Sequence, residues 1–415
     1  MASDLDSAPE VRLLTTPEDF ERGAHLVSET MLGSIEPATV SHWAGFWDGQ
    51  TSHGAFSPAG ELAGVARWFP TELSMAGPSL PAAGVTAVAV RATHRRQGHL
   101  RRLMHAQLDS IATAEVPIAL LVAAEWPIYG RFGYGPAIEA CGYEIDATAA
   151  RFTAPPTGSV ELVSAAELRP HLEAVHDRRW ARTIGAVTRD PVIWDRISGV
   201  ARWPHDPPDE GRGRSAIWRD PSGAVQGAVR YVVRETWVRN RPSGRIDVKQ
   251  LLGATPEAER ELWRHLCETD WISTVAAEGR GVDDPLPFWF DDARAAAQID
   301  RFDCIWARVL DVPRVLDARR AAVAGAVVID VVDDLGHATG RWAVELAPDG
   351  ASVAPTTASV DVRLPVAALG ATCLGGTSAV RLHQAGWMDE ESPGGVARLD
   401  GLLRTSPAPW SPTTY

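Results

Sequence analysis

The chain has 415 residues, 45% of them hydrophobic, and a formal net charge of −13. That length accommodates about three domains of ~150 residues, and the composition is that of a globular protein with a substantial core. The acidic balance excludes general affinity for nucleic acid, so a local concentration of arginine must serve something smaller.

The N-terminal MASDLDSAPE lacks the parts of a signal peptide, and the longest strongly apolar run, 116–124, is too short to span a bilayer. A soluble, cytoplasmic protein with no membrane span is expected. Ser57–Gly60 is a turn signal leading into the strand-like Glu61–Phe69, which together read as a β-hairpin. The strand Val85–Val90 then runs into a turn holding Arg95, Arg96, Gln97 and Gly98, and a helix opens near His99. This arrangement aims backbone N–H and guanidinium groups at one spot, which suits a phosphate or pyrophosphate. Arg101 and Arg102 in the first helical turn oppose the helix dipole unless an anion sits there. A solvated basic helix is the bland alternative; the glycine at the strand–helix junction favours the anion site. Val116–Ala124 reads as a buried strand, followed by Glu125-Trp126-Pro127 and a run containing Tyr129 and Tyr134.

Thr153–Ser159 reads as a linker. Beyond it a faint repeat appears: Pro58–Trp68 and Pro221–Tyr231 both read Pro-x-Gly-x-x-x-Gly-x-x-Arg-aromatic. Each is followed by a strand and a helix, in the second copy Ile246–Leu252 and then Gly253–Cys267. Here Thr255 is an N-cap, Pro256 takes the first helical position, and Glu257 and Glu259 satisfy the dipole. The second copy thus keeps the scaffold and has lost the anion site. Trp203–Arg214 reads as an exposed loop. A third, α+β region is expected from Cys304–Leu310 onward. It has a helix at Ala318–Ala326, strands at Val327–Val332, Gly340–Leu346 and Ser359–Leu364, and a helix starting at Val366–Leu369. Cys141, Cys267, Cys304 and Cys373 are scattered, without spacing for a metal or disulfide, and no metal is expected.

Arg95–Leu100 resembles motif A of the GNAT acetyltransferases, with Leu100 where a small residue is usual. The basic turn followed by Gly-x-Leu-Arg, and the run Tyr-Gly-Arg-Phe-Gly-Tyr-Gly at 129–135, resemble the Eis-like branch of that family. The resemblance implies tandem GNAT α/β folds, the second degenerate, followed by a sterol-carrier-like α+β domain, with boundaries at 1–153, 160–303 and 304–415. It implies acetyl-CoA as co-substrate. Val88, Ala89 and Val90 would offer a strand edge to the pantetheine arm. Arg95, Arg96, Gln97, Gly98, His99, Leu100 and Arg101 would cradle the pyrophosphate, with Ala124 and Glu125 where the strands splay. It makes Tyr129 the general acid, and the α-carboxylate of Tyr415, where Phe is usual, the general base. It also implies a homohexamer. Glu29, Trp43 and Trp47 on the acceptor side suit a cationic amine such as an aminoglycoside or polyamine, through charge and cation–π contact. From the residues alone Glu125 also lies where a base could sit, and the tail Thr405–Tyr415 reads as disordered. A lipid- or ligand-binding protein, or a scaffold, with a vestigial transfer site is the other class of function left open.

Overall fold

Twelve strands in one sheet carry the first three quarters of the chain. The computed structural model describes residues 10–413, apart from 34, 48, 76–77, 204–205, 207–208 and 210. The first module supplies β1 (Glu10–Leu13), β2 (Thr51–Phe56), β3 (Leu62–Ser74), β4 (Ser79–Val90), β5 (Ile118–Leu121) and β6 (Gly135–Asp146). Its helices are α1 (Pro17–Thr30), α2 (Pro37–Phe46), α3 (His99–Thr113) and the single turn α4 (Trp126–Tyr129). The second module supplies β7 (Ser159–Val163), β8 (Gly213–Arg219), β9 (Val225–Arg234), the small ribbon β10 (Trp237–Val238) and β11 (Arg241–Pro242), β12 (Gly244–Gly253), β13 (Ile272–Gly281) and β14 (Ala296–Val309). Its helices are α5 (Ala165–Trp180), α6 (Pro191–Ser198) and α7 (Pro256–Cys267). Both hairpins expected from the repeated turn signal are present, as β2–β3 and β8–β9.

The sheet order is β1-β2-β3-β4-β5-β14-β6-β13-β12-β9-β8-β7, so each module takes its sixth strand from the other. β14 lies antiparallel to β5, from Trp306↔Leu121 to Val309↔Ile118. β6 lies antiparallel to β13, from Thr274↔Asp146 to Gly281↔Ala140. The two exchanged strands pair with each other from Ala296↔Ile145 to Ala307↔Gly135 and weld the modules together. This corrects the expected boundary at 303/304, which falls inside β14. Cys304–Leu310 completes the first module's sheet and does not open the third region.

The third domain follows as α8 (Val312–Asp317), β15 (Gly325–Val332), β16 (Gly340–Leu346), β17 (Ala351–Pro355), β18 (Val362–Pro365), α9 (Val366–Thr372), α10 (Ala379–Gln384), β19 (Asp389–Glu390) and α11 (Gly395–Leu403). The helix expected at Ala318–Ala326 lies instead at Val312–Asp317. Asp311 caps it by accepting from the Arg314 N–H at 3.0 Å, with a proline in the first turn. The sheet order is β17-β16-β15-β18-β19. α9 lies directly on β6 and β14. A Cβ on Gly135 would meet the Ala367 carbonyl oxygen, and one on Gly370 the Ala307 carbonyl oxygen, so backbone meets backbone there. Ile118, Ile138, Ile305, Val327 and Leu369 form one continuous apolar core across that seam.

The same seam holds a buried ion pair. Arg308, fully enclosed, donates from Nη2 to both oxygens of Asp333 at 2.9 and 2.8 Å. Burial alone would raise the Asp333 pKa, but the Arg308 charge and hydrogen bonds hold it below the usual carboxylate range. Its stabilising contribution is therefore present at neutral pH and lost as acid titrates the carboxylate. Asp333→Ala leaves a buried cation unpaired and is expected to cost about 3–5 kcal/mol in denaturant unfolding. The double variant Arg308→Met/Asp333→Leu should recover most of that loss.

Candidate active site

The parallel pairing of β4 with β5 is confined to Ala82↔Ile118, Ala83↔Ala119 and Gly84↔Leu120, after which the strands part. β5 is shorter than the expected Val116–Ala124, and its early end opens a wedge. On the other edge of β4, Ala87 has φ +53° and the register with β3 shifts between Val65 and Arg67. Such a bulge bends the strand and re-aims its edge. A cavity of about 910 Å³ fills the space between β4, the Arg95–Gly98 turn, the start of α3 and the Glu125–Phe132 segment. It is lined by Val88, Ala89, Val90, Arg95, Arg96, Gly98, His99, Leu100, Arg101, Ala124, Glu125 and Tyr129.

The turn leaves hydrogen-bond donors open at the start of α3. Gly98 caps α3 in the left-handed region at φ 84°, no side chain caps the helix, and its first turn contains no acid. The first amides of α3 therefore keep their hydrogen-bonding capacity, and the macrodipole faces the cavity unopposed. Arg95, Arg96 and Arg101 are exposed around it. His99 is 1% exposed, and neither ring nitrogen has a partner among the described residues. Burial, with His94 and Arg102 nearby, lowers its pKa, so the imidazole is neutral near pH 7. α7 is the counterpart in the second module: Thr255 Oγ1 accepts from the Ala258 N–H at 3.1 Å, and Glu257 and Glu259 occupy its first turn. The charge reversal expected between the two copies is thus present in the geometry.

Tyr129 and Tyr134 are told apart by enclosure. Tyr134 is completely buried and its hydroxyl has no partner among the described residues, whereas Tyr129 lines the cavity. Burial, assisted by the Glu125 charge, pushes the Tyr129 phenol up to about 12. It is a protonated donor throughout the neutral range.

Other expected positions fall elsewhere. Gln97 does not line the cavity; its Nε2 donates to the Thr93 carbonyl at 3.4 Å and braces the turn. Glu29 is engaged by Arg91, 3.6 Å away, and by His25 at 4.0 Å. Trp47 is 1% exposed, part of the core beneath α1 and α2, and does not wall a substrate space. Trp43 is half-buried and meets Trp203 edge-on at 4.7 Å. Trp203, placed by sequence in an exposed loop, is in fact buried between the modules. Tyr415 lies outside the described residues. So does Thr414; residues 405–413 are ordered, with Trp410, Ser411 and Thr413 buried.

One residue of the face was not singled out. Arg67 of β3 lies opposite Thr86, over the rings of Trp47 at 4.7 Å and Phe46 at 5.3 Å. It is 3% exposed, and its Nε and Nη1 have no partner among the described residues. Burial lowers the guanidinium pKa to about 9. Its signal was in the repeat, where Arg67 and Arg230 hold the same place; Arg230 is paired with Asp209 and Arg67 is not.

Three domain families match the chain: an acetyltransferase (GNAT) domain at 10–137, a second at 185–326, and a sterol carrier protein domain at 312–412. An uncharacterized N-acetyltransferase of Streptomyces avermitilis is 39% identical over 87% of this chain and 88% of its own. N-acetyltransferase Eis of Mycobacterium tuberculosis is 31% identical over 83% of this chain and 84% of its own. The crystal structure of Eis1 from Mycobacterium abscessus superposes with a TM-score of 0.86 at 31% identity, covering 98% of this chain and all of that one.

Proposed function

The chain belongs to the Eis-like GNAT N-acetyltransferases, and from that premise we propose that it moves the acetyl group of acetyl-CoA to amino groups of cationic small molecules, aminoglycosides or polyamines among them. The single observation that carries the reading is the uncapped, acid-free start of α3 facing the cavity, beside a second module in which the same place is capped and acidic. A vestigial site would be free to look like the second copy. The lipid-binding alternative finds less support. Ile329, Val331, Val344 and Leu364 fill the interior of the third domain, and α9 is committed to the seam.

In this reading Arg95, Arg96, Arg101 and the α3 amides hold the pyrophosphate, and His99 offers a neutral donor and acceptor within the pocket. The free edge of β4 at Val88–Val90 aligns the pantetheine amides, and the wedge beyond Gly84 and Leu120 admits the thioester. The acceptor nitrogen attacks the thioester carbonyl, the C–N bond forms, and the C–S bond breaks. A phenol held up to about 12 grips its proton more tightly than a thiol of pKa about 8.5. Tyr129 therefore acts first by donating a hydrogen bond to sulfur as charge builds there; the proton follows as the thiol departs, and the phenolate left behind takes one back from water. The α-carboxylate of Tyr415 takes the proton lost by the amine. Glu29 and Trp43 remain contributors to attraction of the cation from the α1–α2 side. The same kinship supports a homohexameric, cytoplasmic enzyme.

The test is thiol release from acetyl-CoA with a panel of polyamines, aminoglycosides and neutral amines. Turnover confined to the polycations is expected. Inactivity with every amine, together with intact acetyl-CoA binding, would overturn the reading in favour of a binding or scaffold role.

A further inference from the structure

The second module has a cleft of its own, and the chain's tail lies in it. Beyond Val248↔Ala277 the parallel pairing of β12 with β13 ends, as that of β4 with β5 does beyond Gly84↔Leu120. The space that opens, about 700 Å³, is bounded by the start of α7, the end of α5, the Arg280–Pro285 segment and residues 406–410. Trp410 enters it from the tail. Its Nε1 donates to the Gly279 carbonyl at 2.8 Å, and its backbone N–H donates to Ile184 at 2.9 Å. The guanidinium carbons of Arg179 and Arg280 lie 4.9 and 5.1 Å from its ring. The Ala408 N–H donates to Asp283 at 2.7 Å.

From there Arg189 clasps the next turn of the tail. Its Nε donates to Thr413 Oγ1 at 2.7 Å, and its Nη2 to the Pro412 carbonyl at 2.5 Å and to Gln250 of β12 at 3.1 Å. Arg189 directly follows Thr188, whose hydroxyl is bonded to the Glu72 amide and lies against the Thr71 hydroxyl on β3. The clasp is thus mounted on the first module's sheet. From Trp410 to Tyr415 an extended chain reaches at most about 17 Å, so a fixed residue 410 confines the chain's end to a small volume.

We propose that the tail is the resident occupant of the second module's cleft, with Trp410 as a positioning residue that sets the course of the chain's end. The module that has lost its anion site survives as a mount for the tail. This rests on the reading that the end of the tail carries the base.

The experiment compares the full-length enzyme with Trp410→Ala, Trp410→Phe and a chain lacking Tyr415. Hydrogen exchange of the 404–415 peptide, kcat, and Kd for acetyl-CoA are measured for each. Trp410→Ala is expected to speed exchange of the tail amides at least tenfold and to lower kcat at least tenfold, with acetyl-CoA affinity within twofold. Trp410→Phe, which keeps the ring over the two arginines and loses only the bond to Gly279, should fall between and shows that the fold is retained. Unchanged exchange in Trp410→Ala overturns the anchor. Fast exchange at an unchanged kcat, with the chain lacking Tyr415 inactive, overturns positioning alone. Full activity without Tyr415 overturns the reading of the base, and exchange still decides the anchor.

Discussion

Tyr129→Phe is expected to lower turnover by about 10²- to 10⁴-fold, the usual contribution of a positioned general acid, while leaving acetyl-CoA affinity within twofold. The affinity prediction follows from the geometry: the groups proposed to hold the pyrophosphate lie on the turn and α3, and the phenol belongs to a separate segment of the cavity lining. Because burial and Glu125 hold the phenol up to about 12, its deprotonation should not limit the rate anywhere below that pH. The rate of the native enzyme should instead rise with pH as the acceptor amine, of pKa near 10, loses its proton. Stopped-flow turnover across pH 6–10 checks both statements. A bell whose upper limb falls near pH 8 would assign the acid to another group. Tyr134→Phe is the internal control: a fully enclosed ring whose hydroxyl has no partner among the described residues loses little by the change.

An equally large effect is expected at the other end of the molecule. Adding one glycine after Tyr415 should cut kcat by about 10²-fold or more, because the carboxylate is displaced by one residue, ~3.5 Å. Thermal unfolding and acetyl-CoA binding should not change, since Trp410, Ser411 and Thr413 keep their buried contacts upstream of the added residue. An α-carboxylate of ordinary pKa about 3.5 is ionised across the working range. Its removal should therefore cost the same factor at pH 7 and pH 9. An extended chain with full activity would transfer the role of base to another residue, with Glu125 on the cavity wall the first to test.

How much was legible in the sequence followed from how local each signal was. The helix at Pro256 announced itself through Thr255, Pro256 and two acids, all within five residues, and the structure has each in the expected place. The turn at Gly98 and the start of α3 at His99 were legible for the same reason. Strand exchange was not, because the apolar pattern of Gly135–Asp146 or Ala296–Val309 says that a strand is buried and not which strand lies beside it. Trp47 carries no mark of which side of α2 it serves. The tail misled by composition: a run of Pro, Ser and Thr has little propensity of its own, and its order comes from contacts with Gly279, Ile184 and Arg189, more than 120 residues away in each case. The helix at Val312 was a signal missed, since Asp311 followed by Pro313 has the same grammar as Thr255 and Pro256.

The exchange of β6 and β14 has a consequence for the history and the birth of this protein. On the ribosome, the first module stays one strand short until residue 309 has emerged, with the edge of β5 bare and β6 paired at most with β13 of the second module. The first module cannot complete its sheet ahead of the second. A chain interlocked in this way cannot drop its second module and keep the first module's sheet whole. Every shortened gene would encode a sheet with a missing stave.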